Sequence, residues 1–259
     1  ASQKTKGIRD QLSEYCDAVA AFSGEDNRVL TNVFRFLEGL GENFGPPERD
    51  GPYYPGWTDV YSFVALESLL LMVAALLRHG RWGLLRQLLR RIYVVRTEHN
   101  GPEPTSYVVF DRYLRSLDQH RKNFLKLNRT SLTADMLKER CSPERTPFAE
   151  LMQADVFLGL DAALHVGDHG DAYPVCYWVP RTAVYFANSR PLPLFLRAED
   201  PELRANMRIA FGIPSAVELE KRVELARIKL NDFGVLSISR GFSRFNLVAA
   251  TNLPVLVKA

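Results

Sequence analysis

The sequence predicts a mostly α-helical (α+β) fold, with a helical, bundle-like body over residues 1–165 and a smaller mixed α/β part over residues 166–259 that has a few short strands. Apolar residues recur at spacings of three and four through most of the first part, which is typical of amphipathic helices. After residue 165 the sequence changes to short runs of β-branched and aromatic residues broken by prolines and glycines. Because no Gly/Ser-rich linker separates the two parts, we expect one continuous structure.

The apolar periodicity predicts seven helices in the body. They are Leu12–Phe22, Val29–Leu40, Asp59–Leu77, Trp82–Val95, Tyr107–Lys126, Thr133–Arg140 and Pro147–Leu164. The third and fourth helices are separated only by a few residues around His79 and Gly80, so we expect an antiparallel hairpin. Proline and glycine predict loops at residues 45–56 and at Asn100–Pro104, and tyrosines of the first loop could pack back onto the body.

The third helix is nearly apolar from Val60 to Leu77, which raises the question of membrane insertion. A membrane span needs about 20 apolar residues, and a carboxylate such as Glu67 near its centre is costly there. We therefore expect a buried core helix and no membrane partner. Buried carboxylates are often functional, and this alternative applies to Glu67 and, in the last helix of the body, to Asp155 and Asp161. We expect instead that each pairs structurally, Glu67 for example with an arginine of the Arg-rich helix described below.

The part after residue 165 is predicted to mix strands with two helices. The predicted strands are Tyr173–Phe186, Leu192–Leu196, Val235–Ser239, Phe245–Ala249 and Val255–Val257. Pro180, Pro191 and Pro193 restrict the first two to sheet edges or break them. The predicted helices are Asp200–Phe211 and Ser215–Leu230. The second of these begins with the Ser-x-x-Glu pattern of a capping box.

The composition is that of an ordinary folded domain, with 46% hydrophobic and 24% charged residues. It excludes a mostly disordered chain, a collagen-like chain and a disulfide scaffold. The cysteines Cys16, Cys141 and Cys176 are few and far apart, and the first residues lack the apolar core of a signal peptide, so we expect a cytoplasmic protein. The motifs GxxxxGK[ST], GxGxxG after a strand, HExxH and GxSxG are absent, which argues against P-loop hydrolases, Rossmann enzymes, zincins and α/β-hydrolases.

Basic residues are concentrated in the middle of the sequence. Between Arg78 and Arg129 there are twelve basic and four acidic residues, a net charge of +8, so the remainder of the +3 chain carries −5. Arginines on neighbouring helices would form a face suited to phosphate, because a guanidinium donates two parallel hydrogen bonds. The anion-binding candidates are Arg78, Arg81, Arg86, Arg90, Arg91, Arg121 and Lys122. Alternatively, these side chains are solvated or pair with acidic residues.

Arg115-Ser-Leu-Asp-Gln-His120 is a candidate catalytic pair. An arginine followed by four residues and a histidine resembles the short signature of HEPN ribonucleases, which are helical proteins. The resemblance implies that Arg115 and His120 act on the RNA backbone from paired protomers, although Ser116 replaces the usual Asn or Asp. Histidine transfers protons near neutral pH and arginine stabilises phosphate charge. On a regular helix the two positions lie about 140° apart.

His165, Asp168 and His169 form a candidate metal site. With Asp171 they place two imidazoles and two carboxylates within seven residues, and these are ligands of zinc and other divalent ions. The alternative is a turn, because Gly-Asp sequences are common in loops for conformational reasons.

Two functional hypotheses of different classes follow. The first is a non-enzymatic helical binding or regulatory module, compatible with a domain of a larger bacterial protein, that docks a protein partner or an RNA or DNA backbone through an Arg-rich face. The second is a metal-independent, HEPN-like ribonuclease that uses Arg115 and His120. We expect no cofactor, and an oligomer is compatible with both hypotheses.

Overall fold

The computed structural model describes residues 2–22, 28–45, 54–96, 101–126, 131–166, 168, 178–186, 190–231, 237–240 and 243–258. Within these ranges the chain is mostly α-helical with two small two-stranded antiparallel sheets, and the predicted fold class is confirmed. The chain divides into two compact units, Ala1–Phe148 and Ala149–Ala259. The sequence change predicted at residue 165 lies inside the second unit.

Helices packed around one central helix make up most of the first unit. They are α1 (Ser2–Phe22), α2 (Arg28–Gly41), α3 (Asp59–Arg78), α4 (Trp82–Arg90), α5 (Arg115–Gln119) and α6 (Leu132–Arg140), and the strands are β1 (Tyr93–Arg96) and β2 (Pro102–Thr105). Helix α3 contacts α1, α2, α4 and α5. Short 3₁₀ turns precede α3 (Pro55–Thr58) and α5 (Tyr107–Phe110), and a π-helix, His120–Phe124, continues α5.

Helix α3 is the core helix that its apolar sequence predicts. Every residue from Ala65 to Leu76 is buried. By length and composition Gly56–Arg78 could cross a membrane, but 78% of its apolar window is buried within the structure, as in the core helix of a folded protein. The helix ends at the predicted glycine: Gly80 has a φ of +64°, and the N–H of Arg81 returns to the carbonyl of Leu76 at 2.9 Å.

The segment Trp82–Val95, predicted as one helix, is corrected by the structure. Helix α4 ends at Arg90, and the β-branched run that follows forms β1, paired antiparallel with β2. The loop predicted at Asn100–Pro104 therefore includes strand residues. Pro102 and Pro104 fit this edge strand because they alternate with Glu103, so the N–H groups that they lack face away from β1.

The outer edge of β1 is covered by a side chain from α2. The carboxylate of Glu38 accepts a hydrogen bond from the backbone N–H of Val94 at 3.3 Å. Unpaired strand edges tend to associate with other strands, and natural proteins cover them in this way. Glu38 on one side and the prolines of β2 on the other thus end the sheet at two strands.

The helix predicted at Tyr107–Lys126 is also corrected. The structure divides it into the 3₁₀ turn, an irregular link, α5 and the π-helix. Phe110 is fully buried and packs edge-on against Phe44 and Tyr93, with ring centroids 5.9 and 5.1 Å apart. Tertiary packing of these rings therefore overrides the local helical periodicity.

The second unit is helical with one described hairpin. Its helices are α7 (Phe148–Leu164, which begins at the unit boundary), α8 (Pro193–Leu196), α9 (Pro201–Phe211), α10 (Ala216–Asn231), α11 (Leu247–Ala250) and α12 (Leu253–Leu256), and β3 (Ser237–Arg240) pairs with β4 (Ser243–Asn246). The predicted cap of α10 is confirmed, because Ser215 Oγ accepts the N–H of Glu218 at 3.1 Å.

Several of the short strands predicted here form helical turns instead. Arg181–Tyr185 is a 3₁₀ turn, and Leu192–Leu196 and Val255–Val257 fall largely in α8 and α12, each of which has proline in its first turn. Phe245–Ala249 is divided between β4 and α11. Residues 173–177 and 235–236 of the predicted strands lie outside the described residues. Short apolar runs do not distinguish a strand from a buried helical turn.

One buried and one half-buried thiol in the first unit make the free energy of unfolding depend on pH above 9. Burial raises the pKa of Cys16 from 9.0 to about 12, and that of Cys141 to about 11. Between pH 9 and these values the thiols ionise in the unfolded chain and stay protonated in the folded one. The contribution of the Cys16 thiol to stability is therefore complete below pH 9 and falls by about 1.4 kcal/mol per pH unit above it, and that of the half-buried Cys141 falls in the same direction by less.

We expect the urea midpoint of the protein to fall more steeply between pH 9 and pH 11 than that of Cys16→Ala. The comparison with the variant isolates the thiol, since all other alkaline groups titrate in both proteins. Equal slopes for the two proteins would contradict the buried, protonated state of Cys16.

Candidate nucleic-acid interface

Several arginines of the predicted anion-binding set are bound within their own unit. Arg78 donates to Asp17 Oδ1 at 2.7 Å and to the carbonyl of Arg145 at 2.9 Å. Arg81 donates to the carbonyls of Ala20 and Ala21, both at 2.8 Å, at the end of α1. The Arg81 guanidinium satisfies carbonyls that a helix end leaves without intrahelical partners, whereas that of Arg78 joins α1 to the turn that contains Arg145.

Arg91 and Arg112 form a second type of internal contact. The Arg91 guanidinium lies 5.1 Å from the centroid of Phe34 and 3.6 Å from Glu38. Arg112 lies 5.2 Å from the centroid of Phe44 and donates to its carbonyl at 3.3 Å. Stacking on aromatic faces is a typical use of arginine in packing.

Of the remaining predicted anion-binding residues, two are exposed at the surface and two have side chains that are not among the described ones. Arg86 and Arg90 are exposed on α4, whereas Arg121 and Lys122 are placed in the π-helix by their backbone only. That this set of seven binds an external anion stays a prediction. Because Arg78, Arg81 and Arg91 make internal contacts, the basic residues that follow β2 are the better candidates for binding an external anion.

Arg115 and His120 lie at the two ends of α5. Arg115 is its first residue, with a side chain outside the described part, and His120 begins the π-helix. The N–H of His120 is shared between the carbonyls of Leu117 and Ser116, so α5 is helical up to His120 and the two positions lie on different faces, about 140° apart on an ideal helix. The His120 ring is exposed and stacks on Phe124, with centroids 5.3 Å apart and planes at 26°.

Three contacts hold α5 against the turn that precedes α3. Asp59 Oδ2 accepts the N–H of Ser116 at 2.6 Å, and Tyr54 Oη donates to Gln119 Oε1 at 2.8 Å. Gly56 approaches so closely that an added Cβ would lie 2.8 Å from the Cβ of Ser116. Glycine is therefore required at this crossing, and α5 is fixed to the body despite its five residues.

Aromatic rings are exposed on both sides of this junction. Trp57 is 63% exposed and Phe124 is 77% exposed. We call the set of five rings on the turn, the first turn of α3 and the π-helix the aromatic surface: Tyr54, Trp57, Tyr61, His120 and Phe124. Sequence reasoning missed it, because the tyrosines of the loop were expected to pack inward.

The predicted metal residues are engaged in hydrogen bonds and ion pairs where they are described. His165 Nδ1 lies 2.8 Å from the carbonyl of Asp161, and its Nε2 lies 3.9 Å from Asp168. Arg222 binds both carboxylate oxygens of Asp168 at 3.1 and 2.9 Å. His169 and Asp171 lie outside the described residues, and the remainder contains no group of three or more potential ligands arranged to hold a metal ion.

The predicted pairing of Glu67 with arginine is confirmed, but the partners come from elsewhere in the sequence. Arg9 Nε of α1 donates to its Oε1 at 3.2 Å, and Arg140, the last residue of α6, donates to both oxygens at 2.8 Å. The hydrogen bond to Glu67 raises the pKa of Arg140. The carboxylate is thus part of the core of the first unit, with no accessible position for chemistry.

Comparison of the chain with known protein families, with curated proteins and with solved structures gave no match. The junction of the Pro55–Thr58 turn with α5 is where exposed rings and basic sequence coincide.

Proposed function

We propose that the chain is a non-enzymatic binding module that holds nucleic acid by its phosphate backbone through residues 115–126, which we call the basic segment. The observation that carries the proposal is the combination of charge and exposure in this segment. It contains four basic residues and one acidic residue. Its described side chains from Gln119 onward are exposed, and α5 is anchored at Asp59.

The charge of the basic segment fits a polyanion. Charges within about 10 Å act together at physiological salt. The twelve residues span about 18 Å of helix axis, and each basic residue lies within about 10 Å of the next one along it. Arginine and lysine near phosphates release counterions, which favours association with any nucleic acid. The π-helix adds weight, because such irregular turns are frequent at functional sites.

Binding of a fluorescein-labelled single-stranded RNA, followed by anisotropy between 50 and 200 mM salt, tests the proposal. We expect affinity to fall steeply with salt. In the double variant Arg121→Gln/Lys122→Gln, affinity at 50 mM salt should drop on the order of tenfold, and the slope of log K against log[salt] should become shallower by about 1.4, because each phosphate contact on a single strand contributes about 0.7.

Arg35→Gln/Lys138→Gln is the matched comparison, since it removes the same number of charges from exposed positions of the same unit, on α2 and α6, that are not among the predicted anion-binding residues. We expect it to leave the slope nearly unchanged. Salt-insensitive association would instead indicate a protein interface, and the absence of binding at 50 mM salt would rule out the proposed function.

The ribonuclease hypothesis is retained as a second candidate because the His120 imidazole is exposed within the basic segment. The same RNA, analysed on a denaturing gel without added metal, tests it. Cleavage that is lost in His120→Ala while binding persists would support an enzyme. Intact RNA after incubation with the parent protein leaves only the binding module.

A further inference from the structure

We infer that the nucleic acid held by this module is single-stranded, with unpaired bases stacked on the aromatic surface. The inference rests on the proposed function and specifies its ligand. Single-strand binding sites combine a basic track for the backbone with aromatic rings for the bases. The first unit supplies both at one junction, because Tyr54 of the turn bonds to Gln119, the residue directly before His120.

Three rings of the aromatic surface are held in place by side-chain contacts. Tyr54 is fixed through its hydroxyl by Gln119, and the backbone N–H of Trp57 bonds to the carbonyl of Tyr54 at 2.9 Å, which fixes the backbone of the turn. His120 and Phe124 support each other as a stacked pair. A ring that is already ordered loses little conformational freedom when a base stacks on it, which favours binding.

The type of exposed side chain distinguishes this surface from the exposed faces of β1 and α10. The exposed apolar residues of β1 and α10 are aliphatic: Val94, Val217, Leu225 and Ile228. The junction groups tryptophan, tyrosine, histidine and phenylalanine, next to the aliphatic Val60 and Leu125, whereas other exposed rings, such as Tyr15 and Phe36, lie on separate helices. Aliphatic groups bury apolar area against many partners, whereas planar rings match the flat faces of bases.

A duplex cannot use these rings, because its bases are already stacked on one another and expose only their edges in the grooves. Single strands can turn their bases outward onto aromatic side chains while the backbone follows basic residues. The exposed Lys126 lies two residues beyond the π-helix that carries His120 and Phe124. One continuous nucleic-acid strand can therefore contact the basic residues with its phosphates and the aromatic surface with its bases.

The test compares three competitors for the labelled single-stranded RNA: the same RNA unlabelled, the RNA annealed to its complement, and inorganic polyphosphate, which has charge but no bases. We expect the single strand to compete at least tenfold better than the other two. Trp57→Ala and Phe124→Ala should each weaken binding on the order of tenfold, Trp57→Phe should retain most of it, and Ile92→Ala, an exposed aliphatic control on the link to β1, should not change it.

Intrinsic fluorescence gives an independent measurement. Trp178 is buried and Trp57 is the most exposed tryptophan, so a base stacked on Trp57 should quench emission that Trp57→Phe no longer shows. Equal competition by duplex or polyphosphate, with unchanged affinity in both alanine variants, would overturn the inference while leaving the proposed function standing. Failure of the parent protein to bind any of the three polyanions would overturn the proposed function itself.

Discussion

Replacing Glu67 by alanine is expected to lower the free energy of unfolding by about 3–5 kcal/mol, the usual cost of removing one partner from a buried ion pair. Arg9 is only 1% exposed, and its Nε bonds to Glu67. Its Nη2 donates a hydrogen bond to the Cys141 sulfur at 3.4 Å. Its Nη1 is buried without a hydrogen-bond partner among the described residues. Without Glu67 the guanidinium would keep its charge and lose its counterion.

Urea denaturation followed by circular dichroism measures this effect. Glu14→Ala is the matched control, since it removes a carboxylate that pairs with Arg145 at the surface of the same unit. An exposed pair of this kind contributes about 0–1 kcal/mol. A loss at Glu67 no larger than that at Glu14 would show that Arg9 finds another way to be solvated.

A second variant separates charge burial from packing. In Arg9→Met/Glu67→Met both charges are replaced by flexible apolar side chains, and Arg140, which is partly exposed, can turn to water. Buried ion pairs replaced by apolar residues are often neutral in stability. We therefore expect the double variant to be more stable than Glu67→Ala.

The Glu67 cluster shows how far sequence reasoning reaches in the fold. A carboxylate in an apolar helix must be paired, and this follows from desolvation alone. Which arginines pair with it does not follow, because Arg9 and Arg140 lie 58 and 73 residues away. The long helix α3 was also predictable, because its apolar run is a local feature of the sequence. The β1–β2 hairpin was not, because the role of Pro102 and Pro104 at its edge depends on the register in which the two strands pair.

The positive charge of the candidate site could be predicted from the sequence, but the positions of its side chains could not. The sequence contains the excess of arginine, but not the fact that Arg81 binds the end of α1 or that Arg91 stacks on Phe34. The aromatic surface was missed because Pro-Gly-Trp after two tyrosines is typical of a loop, and its exposure depends on where α5 lies. That position is fixed by a tertiary contact, the close approach of Gly56 to Ser116, which the sequence alone does not reveal.

The second unit contains the other substitution with a large expected effect. Asp155 is fully buried on α7 and accepts three hydrogen bonds: from Trp178 Nε1 at 2.7 Å, from the N–H of Thr182 at 2.7 Å and from Thr182 Oγ1 at 2.8 Å. These bonds hold the 3₁₀ turn Arg181–Tyr185, which the sequence predicted as strand, in its observed form.

We expect Asp155→Ala to lower the free energy of unfolding by about 3–5 kcal/mol, because a buried donor left unsatisfied costs about 1–3 kcal/mol and three donors lose their acceptor together. The free energy of unfolding of Asp155→Asn should lie between those of the parent protein and Asp155→Ala. The Asn carbonyl can still accept a hydrogen bond, but its NH₂ group would face other donors. Near-ultraviolet circular dichroism of Trp178, which is 1% exposed, reports whether the turn has moved.

Asp200→Ala is the matched control in the same unit. Asp200 caps α9 by accepting the N–H of Glu202 at 2.9 Å, and its side chain is exposed, so its loss should cost about 1 kcal/mol and leave the Trp178 signal unchanged. If Asp155→Ala behaved like Asp200→Ala in both stability and spectrum, the three donors would have found water. The buried carboxylate would then not be what orders the turn.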